Sequence, residues 1–283
     1  MFDVCVVGSA NLDLVATVDR LPGAGETVPG TSYREYPGGK GLNQAVAAAR
    51  SGASCAFAGT LGLDDAATLL QHVMQEDGID TEHLERVSLP TGRALIFVAP
   101  SGENSIVVVG GANLATQAFD TPPAKVVLAQ LEVPVDAIER AFRAARERGA
   151  ITVLNPAPAK DVPDSLLALC DVLTPNEHEV ELLGGVTRLR SLGATAVIIT
   201  RGEQGADLHH GDEVVRVPAF TVEAIDATGA GDTFSGALCA RLASGDTYAA
   251  AARFASAAAA ISTTRRGAVP SIPTADEVLD LLG

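Results

Sequence analysis

Asp226-Ala-Thr-Gly-Ala-Gly-Asp232 runs directly into Thr233-Phe-Ser-Gly-Ala-Leu-Cys-Ala-Arg-Leu242. Two carboxylates bracket a Gly-Ala-Gly turn, and an apolar helical pattern begins at once. Small residues let a backbone turn tightly and bring its N–H groups up to a ligand. The first turn of a helix carries free donors and a partial positive charge, so the stretch has the makings of an anion site. An ordinary helix with an N-cap Asp reads the same way locally. A carboxylate beside an anion site, however, suits transfer of a charged group to a hydroxyl, with the acid as base. The surrounding chain decides between the two.

Upstream of that stretch, strands and helices alternate. Lys125 to Leu131 reads as a strand, Val135 to Arg148 as a helix, Ile151 to Leu154 as a strand. Val172 to Thr174 and Val197 to Thr200 read as further strands, with a helix over Glu177 to Leu183 between them. A hairpin is predicted across His210-Gly-Asp212, and helices to Leu242, over Thr247 to Ile261 and near Ala275 to Leu282. Such alternation gives a mostly parallel sheet with helices on both faces. The first third departs from it. Residues 12–19, 31–36, 93–99 and 104–109 read as amphipathic strands, the last two joined by Pro100-Ser-Gly-Glu103. A strand with one apolar face must bury it, which predicts a small sheet projecting as a lid over substrate or against a second copy of the chain.

Bulk properties narrow the field. The 283 residues hold 47% hydrophobic side chains, enough for a large core, and a formal net charge of −15 with lysine only at 40, 125 and 160. That balance argues against nucleic acid and anionic membrane surfaces. It leaves phosphate ligands open, because backbone N–H groups and Mg²⁺ hold phosphate locally. Cys5, Cys55, Cys170 and Cys239 are widely spaced and read as core residues of a reduced, cytoplasmic protein. No signal peptide is expected at Phe2–Val7, and no apolar run is long enough to span a bilayer.

In an open α/β sheet, ligands sit beyond the carboxyl ends of the strands. Polar clusters fall at those ends here: Asn11 and Asp13, Gly39 to Asn43, Glu132, Asn176 and Glu179, Thr200 to Gly205, and Asp226 with Asp232. Helix capping accounts for any one of them, Asn176 and Glu179 included, but not readily for the set. The alternatives are weaker. Lys40 is followed by Gly41, so there is no Walker A loop; no dinucleotide fingerprint follows a strand; and the histidines lack zinc spacing.

Gly38-Gly-Lys-Gly-Leu-Asn-Gln-Ala45 and Asp226 to Asp232 resemble the two signatures of the pfkB-type carbohydrate kinases. Ser9, Asn11 and Asp13, Gln130-Leu-Glu132, Asn155-Pro-Ala-Pro158, Thr174-Pro-Asn-Glu177, Arg265-Arg-Gly-Ala268 and Pro270-Ser271 resemble, in order, the ribokinase branch of that family. The resemblance covers nearly the whole chain. It implies a single ribokinase-like domain over 1–283, a three-layer α/β sandwich with a β-sheet lid, and a homodimer formed through that lid. It also implies transfer of the ATP γ-phosphoryl to the O5 hydroxyl of ribose. Asp232 matches the base, with Gly229, Ala230 and Gly231 forming the anion hole. Asn11, Asp13, Gly39, Lys40, Gly41, Asn43 and Glu132 match the sugar positions. Asn176, Thr200, Arg201, Gly202, Glu203, Gln204, Gly205, Gly231 and Ser256 match the nucleotide positions, and Glu179 acts on Mg²⁺ through water. Asp226, Thr228, Ser262, Arg265, Gly267 and Ser271 match a potassium site. Another sugar or a nucleoside as substrate, or a sensor that kept the fold without catalysis, are the rival readings. Ala227 departs from the second signature beside the cation loop. The segment from Asn176 to Thr200 is also markedly shorter than the family pattern, which implies a curtailed helix around 184–192 and a change near the nucleotide.

Overall fold

The structure, a computed structural model, describes residues 1–118 and 120–283. The first third contains β1 (Phe2–Val7), β2 (Asn11–Val18), β3 (Gly30–Gly38), α1 (Lys40–Arg50), β4 (Cys55–Leu61), α2 (Asp65–Glu76), β5 (Leu84–Arg86), β6 (Gly92–Val98) and β7 (Asn104–Val109). The middle contains β8 (Ala124–Gln130), α3 (Val135–Glu147), β9 (Ile151–Asn155), α4 (Asp164–Leu167), β10 (Val172–Leu173), α5 (Glu177–Leu182), α6 (Gly185–Ser191) and β11 (Ala196–Thr200). The hairpin β12 (Ala206–His210) and β13 (Glu213–Val217) precedes α7 (Ala230–Ala243), α8 (Tyr248–Ser262) and α9 (Ala275–Leu282).

Among the described residues the strands form two sheets. The larger has the order β13-β12-β11-β10-β9-β8-β1-β4-β5, with its pairs parallel from β11 to β5 and antiparallel through β12 and β13. Its central strands are mostly apolar and buried, as strands covered on both faces must be; β4 is buried along its whole length. One core packs α1, α2, α7, α8 and α9 on one face, and a second packs α3 to α6 on the other. The smaller sheet, β3-β2-β6-β7, collects the amphipathic strands expected from the sequence. Its edge strand β7 is exposed at every position, with Ile106, Val107, Val108 and Val109 each about half accessible.

Parallel register aligns the strand ends. Val7 lies level with Ala58 and Ala129, Gln130 with Asn155, and Leu154 with Leu173, itself level with Val197. The residues just beyond these positions therefore emerge along one edge. Two helix N-termini meet there because α1 and α7 pack in intimate contact: a Cβ on Gly236 would lie 2.3 Å from the Gln44 carbonyl oxygen and 2.7 Å from the Ala47 Cβ. Only glycine permits that approach. The expected curtailment around 184–192 takes a specific form: the chain still makes a two-turn helix, α6, entered through Gly184 at φ 82°. β5 and α6 are the elements that periodicity alone did not reveal.

Candidate active site

The first signature opens α1, with Gly39 as its N-cap and Lys40 its first residue. The Lys40 N–H donates to Glu132 Oε2 at 3.0 Å, and Ser9 Oγ donates to the same oxygen at 2.5 Å. The Gly41 N–H donates to Ser9 Oγ at 3.3 Å. These bonds lock the α1 entry to the ends of β1 and β8. Asn11, the first residue of β2, is buried, and its Oδ1 accepts from Asn113 Nδ2 at 2.7 Å; Asn113 is anchored in turn by the Ala10 N–H at 3.0 Å. Asp13 follows Asn11 on the same face of β2, as the strand period requires. Burial, then the neighbouring charges of Glu132 and Asp232, push its carboxyl up to about 7. Those carboxylates in turn hold the Lys40 ammonium on, Asp232 most strongly, and raise its pKa despite burial.

Asp232 lies in the first turn of α7 and is buried. Asn43 Nδ2 donates to its Oδ2 and Gln44 Nε2 to its Oδ1, each at 2.9 Å. Asn43 Oδ1 is buried with no hydrogen-bond partner among the described residues, an acceptor whose chemistry would suit a hydroxyl donor. Gly229, the N-cap of α7, has φ 77°, a conformation that glycine adopts at no cost. Thr233 N–H donates to Gly229 O and Ala230 N–H to Ala227 O. The intervening Gly231 and Asp232 N–H groups make no bond to the described residues, as at the first turn of any helix, where such donors are open to an anion.

On the other side of this turn lies a cavity of about 910 Å³, lined by Thr200, Gly202 to Gly205, Pro218 to Val222, Ala230, Gly231, Phe234, Ser256, Ala259 and Thr263, among others. It has the size and mainly apolar wall of a cofactor-sized site. Most of the nucleotide positions expected from the sequence line it. Asn176 and Arg201 do not. Asn176 caps α5 in a capping box with Glu179: the Glu179 N–H donates to Asn176 Oδ1 and the Asn176 N–H to Glu179 Oε2, both at 2.8 Å. Burial raises the Glu179 pKa, against the Asn176 N–H and the Lys40 charge. Arg201 is clamped by Glu177 and Asp207. The cation on the cavity wall is instead Arg216, which donates to Asp207 at 2.9 Å and to the Gln204 carbonyl at 3.1 Å. Neither α5 nor α6 contributes to the wall.

Asp226 organises a third cluster. Its Oδ1 accepts from the Thr228 N–H at 2.9 Å and from Thr228 Oγ1 at 2.6 Å, and its Oδ2 from the Gly267 N–H at 2.9 Å. Burial pushes this carboxyl up, but the donors of Thr228 and Gly267 outweigh it and keep it ionised below the usual range. The Ile225 and Asp226 N–H groups both donate to Thr263 O, just past the end of α8. Ser262 and Ser271 are fully buried, with hydroxyls donating to Ala259 O and Ala268 O, and Arg265 pairs with Glu277.

A family model described as pfkB family carbohydrate kinase matches residues 1–275. The chain belongs to that family. Within the pfkB carbohydrate kinases it is 41% identical to a ribokinase of Haemophilus influenzae, over 98% of this chain and 97% of the relative. The crystal structure of a ribokinase from Thermotoga maritima superposes with a TM-score of 0.91 at 36% identity, covering 100% of this chain and 99% of that one. An Arabidopsis thaliana ribokinase complexed with ribose and ATP gives 0.91 at 30% identity, covering 99% and 98%. The three-layer fold with its separate small sheet is thus that of the family.

Some members of the site carried no assigned role in the sequence. Gln44, Gln130 and Asn155 are buried beside Asp232, Asn113 holds Asn11, and Arg216 faces the cavity. Gln44, Gln130 and Asn155 had a signal: each is an amide inside or ending an apolar run, where an unpaired polar group would be costly. The cysteines sit where expected, all buried. No helix among the described residues is long and apolar enough to cross a membrane.

Proposed function

We propose that the chain catalyses ATP-dependent phosphorylation of D-ribose at O5. The observation that carries this reading is the position of the α7 start. Its backbone forms part of the nucleotide-sized cavity, while its Asp232 carboxylate is bonded to Asn43 among the polar residues of the sugar signature. A hydroxyl held at Asp232 can lose its proton to the carboxylate as its oxygen bonds phosphorus, with the bond from phosphorus to the ADP oxygen breaking. The free N–H groups of Gly231 and Asp232 meet the charge spread over the transferring phosphoryl oxygens. An ionised aspartate is a weak base, and a loose transition state needs little more than position and charge.

Ribose is neutral and rich in hydroxyls, which suits the acceptors Asp13 and Glu132, the two-way amides Asn11 and Asn43, and the donors at Gly39 to Gly41. Thr200, Gly202 to Gly205, Gly231 and Ser256 would line the nucleotide, with Arg216 added and Asn176 and Arg201 acting from behind the wall. Mg²⁺ would rest on the phosphates and water, with Glu179 as an outer acceptor; it supplies neutralisation of phosphate charge. The Asp226 cluster fits K⁺: an ionised carboxylate, hydroxyl oxygens and carbonyls at the negative end of α8 form a hard oxygen set. Bound there, the ion would stiffen the loop that leads into the anion hole.

The lid sheet belongs with the larger sheet in one domain, since Asn11 and Asp13 stand on β2 itself. The apolar edge strand β7, exposed along both faces, is the surface through which two copies would pair. The test is a coupled assay with ATP across ribose, deoxyribose, fructose, fructose phosphate and nucleosides. Ribose is expected to give the highest kcat/KM, because sites that pair substrate hydroxyls discriminate strongly against analogues lacking them. Faster turnover of another member would overturn the substrate, and nucleotide binding without turnover of any would overturn catalysis.

A further inference from the structure

Behind Asp232 runs a chain of buried amides that links every layer of the site. Gln44 Nε2 donates both to Asp232 Oδ1 at 2.9 Å and to Asn155 Oδ1 at 3.0 Å. Asn155 Nδ2 donates to the Thr174 carbonyl at 3.0 Å, and Gln130 Nε2 donates to Gln44 Oε1 at 2.6 Å. Gln44 and Gln130 are fully buried and Asn155 nearly so. Chemistry fixes the direction of the chain. A backbone carbonyl only accepts, so Asn155 must offer it Nδ2 and turn Oδ1 to Gln44. Gln44 must then present Nε2 to that oxygen, and the same nitrogen reaches the carboxylate.

We propose that Gln44 is a positioning residue for phosphoryl transfer: through this oriented relay it fixes the rotation of the Asp232 carboxylate and keeps one face of it turned to the substrate hydroxyl. The observations distinguish it from Asn43. Asn43 Oδ1 has no partner among the described residues, whereas every polar atom of the Gln44 side chain is engaged within the protein. Gln44 therefore has no atom left for substrate, and its effect must pass through Asp232. Gln130 braces it at a cost, since Gln130 Oε1 is itself buried without a partner among the described residues.

This rests on Asp232 being the base, and the experiment separates the two ideas. In a coupled ribose assay, Gln44→Met is expected to lower kcat about 10- to 100-fold, the loss of one hydrogen bond to a charged group, while KM for ribose stays within about threefold. In an Asp232→Ala background the same substitution is expected to change kcat less than about threefold, because the group it acts through is gone. Gln130→Met provides an arm less exposed to misfolding, as it also removes the orphaned oxygen. It is expected to lower kcat about 3- to 10-fold with unchanged KM. Equal losses from Gln44→Met in both backgrounds, or a KM increase with kcat intact, would overturn the positioning role. Wild-type turnover in Asp232→Ala alone would instead overturn the base.

Discussion

Asp13→Asn should stabilise this protein and weaken its hold on sugar at the same time. The Asp13 carboxyl is pushed from an ordinary 3.8 up to about 7 by burial and by Glu132 and Asp232. A raised acid pKa costs stability in the opposite sense to a salt-bridged carboxylate. Below about pH 4 both folded and unfolded forms are protonated and nothing is lost. Between about 4 and 7 the unfolded chain ionises first, so stability falls as pH rises; above about 7 the full penalty applies. A shift of that size corresponds to at most about 4 kcal/mol, and Asp13, which solvent still reaches on one side, realises part of it. Asn at this position removes the charge, so the melting temperature should rise by several degrees at pH 8 and hardly at all near pH 4. If ribose needs the ionised form, the competent fraction falls from about ten-elevenths at pH 8 to about one-eleventh at pH 6, a roughly tenfold weaker Kd without nucleotide. Calorimetric titration of ribose and thermal melts across that range test both limbs. The reasoning fails if wild-type affinity is flat from pH 6 to 8, or if Asp13→Asn melts with the wild type at pH 8.

Two further outcomes are expected. Replacing potassium by sodium or choline should slow turnover about tenfold, a fraction of what losing an anion-hole donor outright costs. Asp226→Asn should abolish that response, and a rate indifferent to the cation would leave the Asp226 loop a purely structural turn. Val108→Glu on β7 should convert a dimer to a monomer in sedimentation equilibrium, since an unpaired charge would be buried in the paired lid; an unchanged mass would place the contact elsewhere.

What the sequence made legible was whatever is local. Alternation located the lid strands to within one or two residues, and the two glycine signatures located the helix starts, because period and turn chemistry act over a few residues. The amides that hold the site together pair across long stretches of chain: Gln44 with Gln130, Asn155 and Asp232 is one case, Asn113 with Asn11 another. Their residue type announced that they needed partners, but only the register of the parallel strands says which. Arg201 and Arg216 show the same limit: both lie near the nucleotide positions in sequence, and the choice of which one Glu177 captures is tertiary.

The charge problem raised by composition is resolved in the same way. A chain with net charge −15, whose candidate site gathers Asp13, Glu132 and Asp232 around Lys40, looks poorly suited to a polyanionic nucleotide. The favourable field comes from groups that composition does not count. The free N–H groups at the start of α7 carry about half a positive charge, and Gly231, which bears one of them, lines the cavity. The Asp226 carboxylate would otherwise oppose them, but its donors tie it down against Gly267 and the end of α8, where a cation would cancel it. Backbone placement would therefore separate an acidic face suited to a neutral sugar from a positive face suited to phosphate, within one turn of one helix.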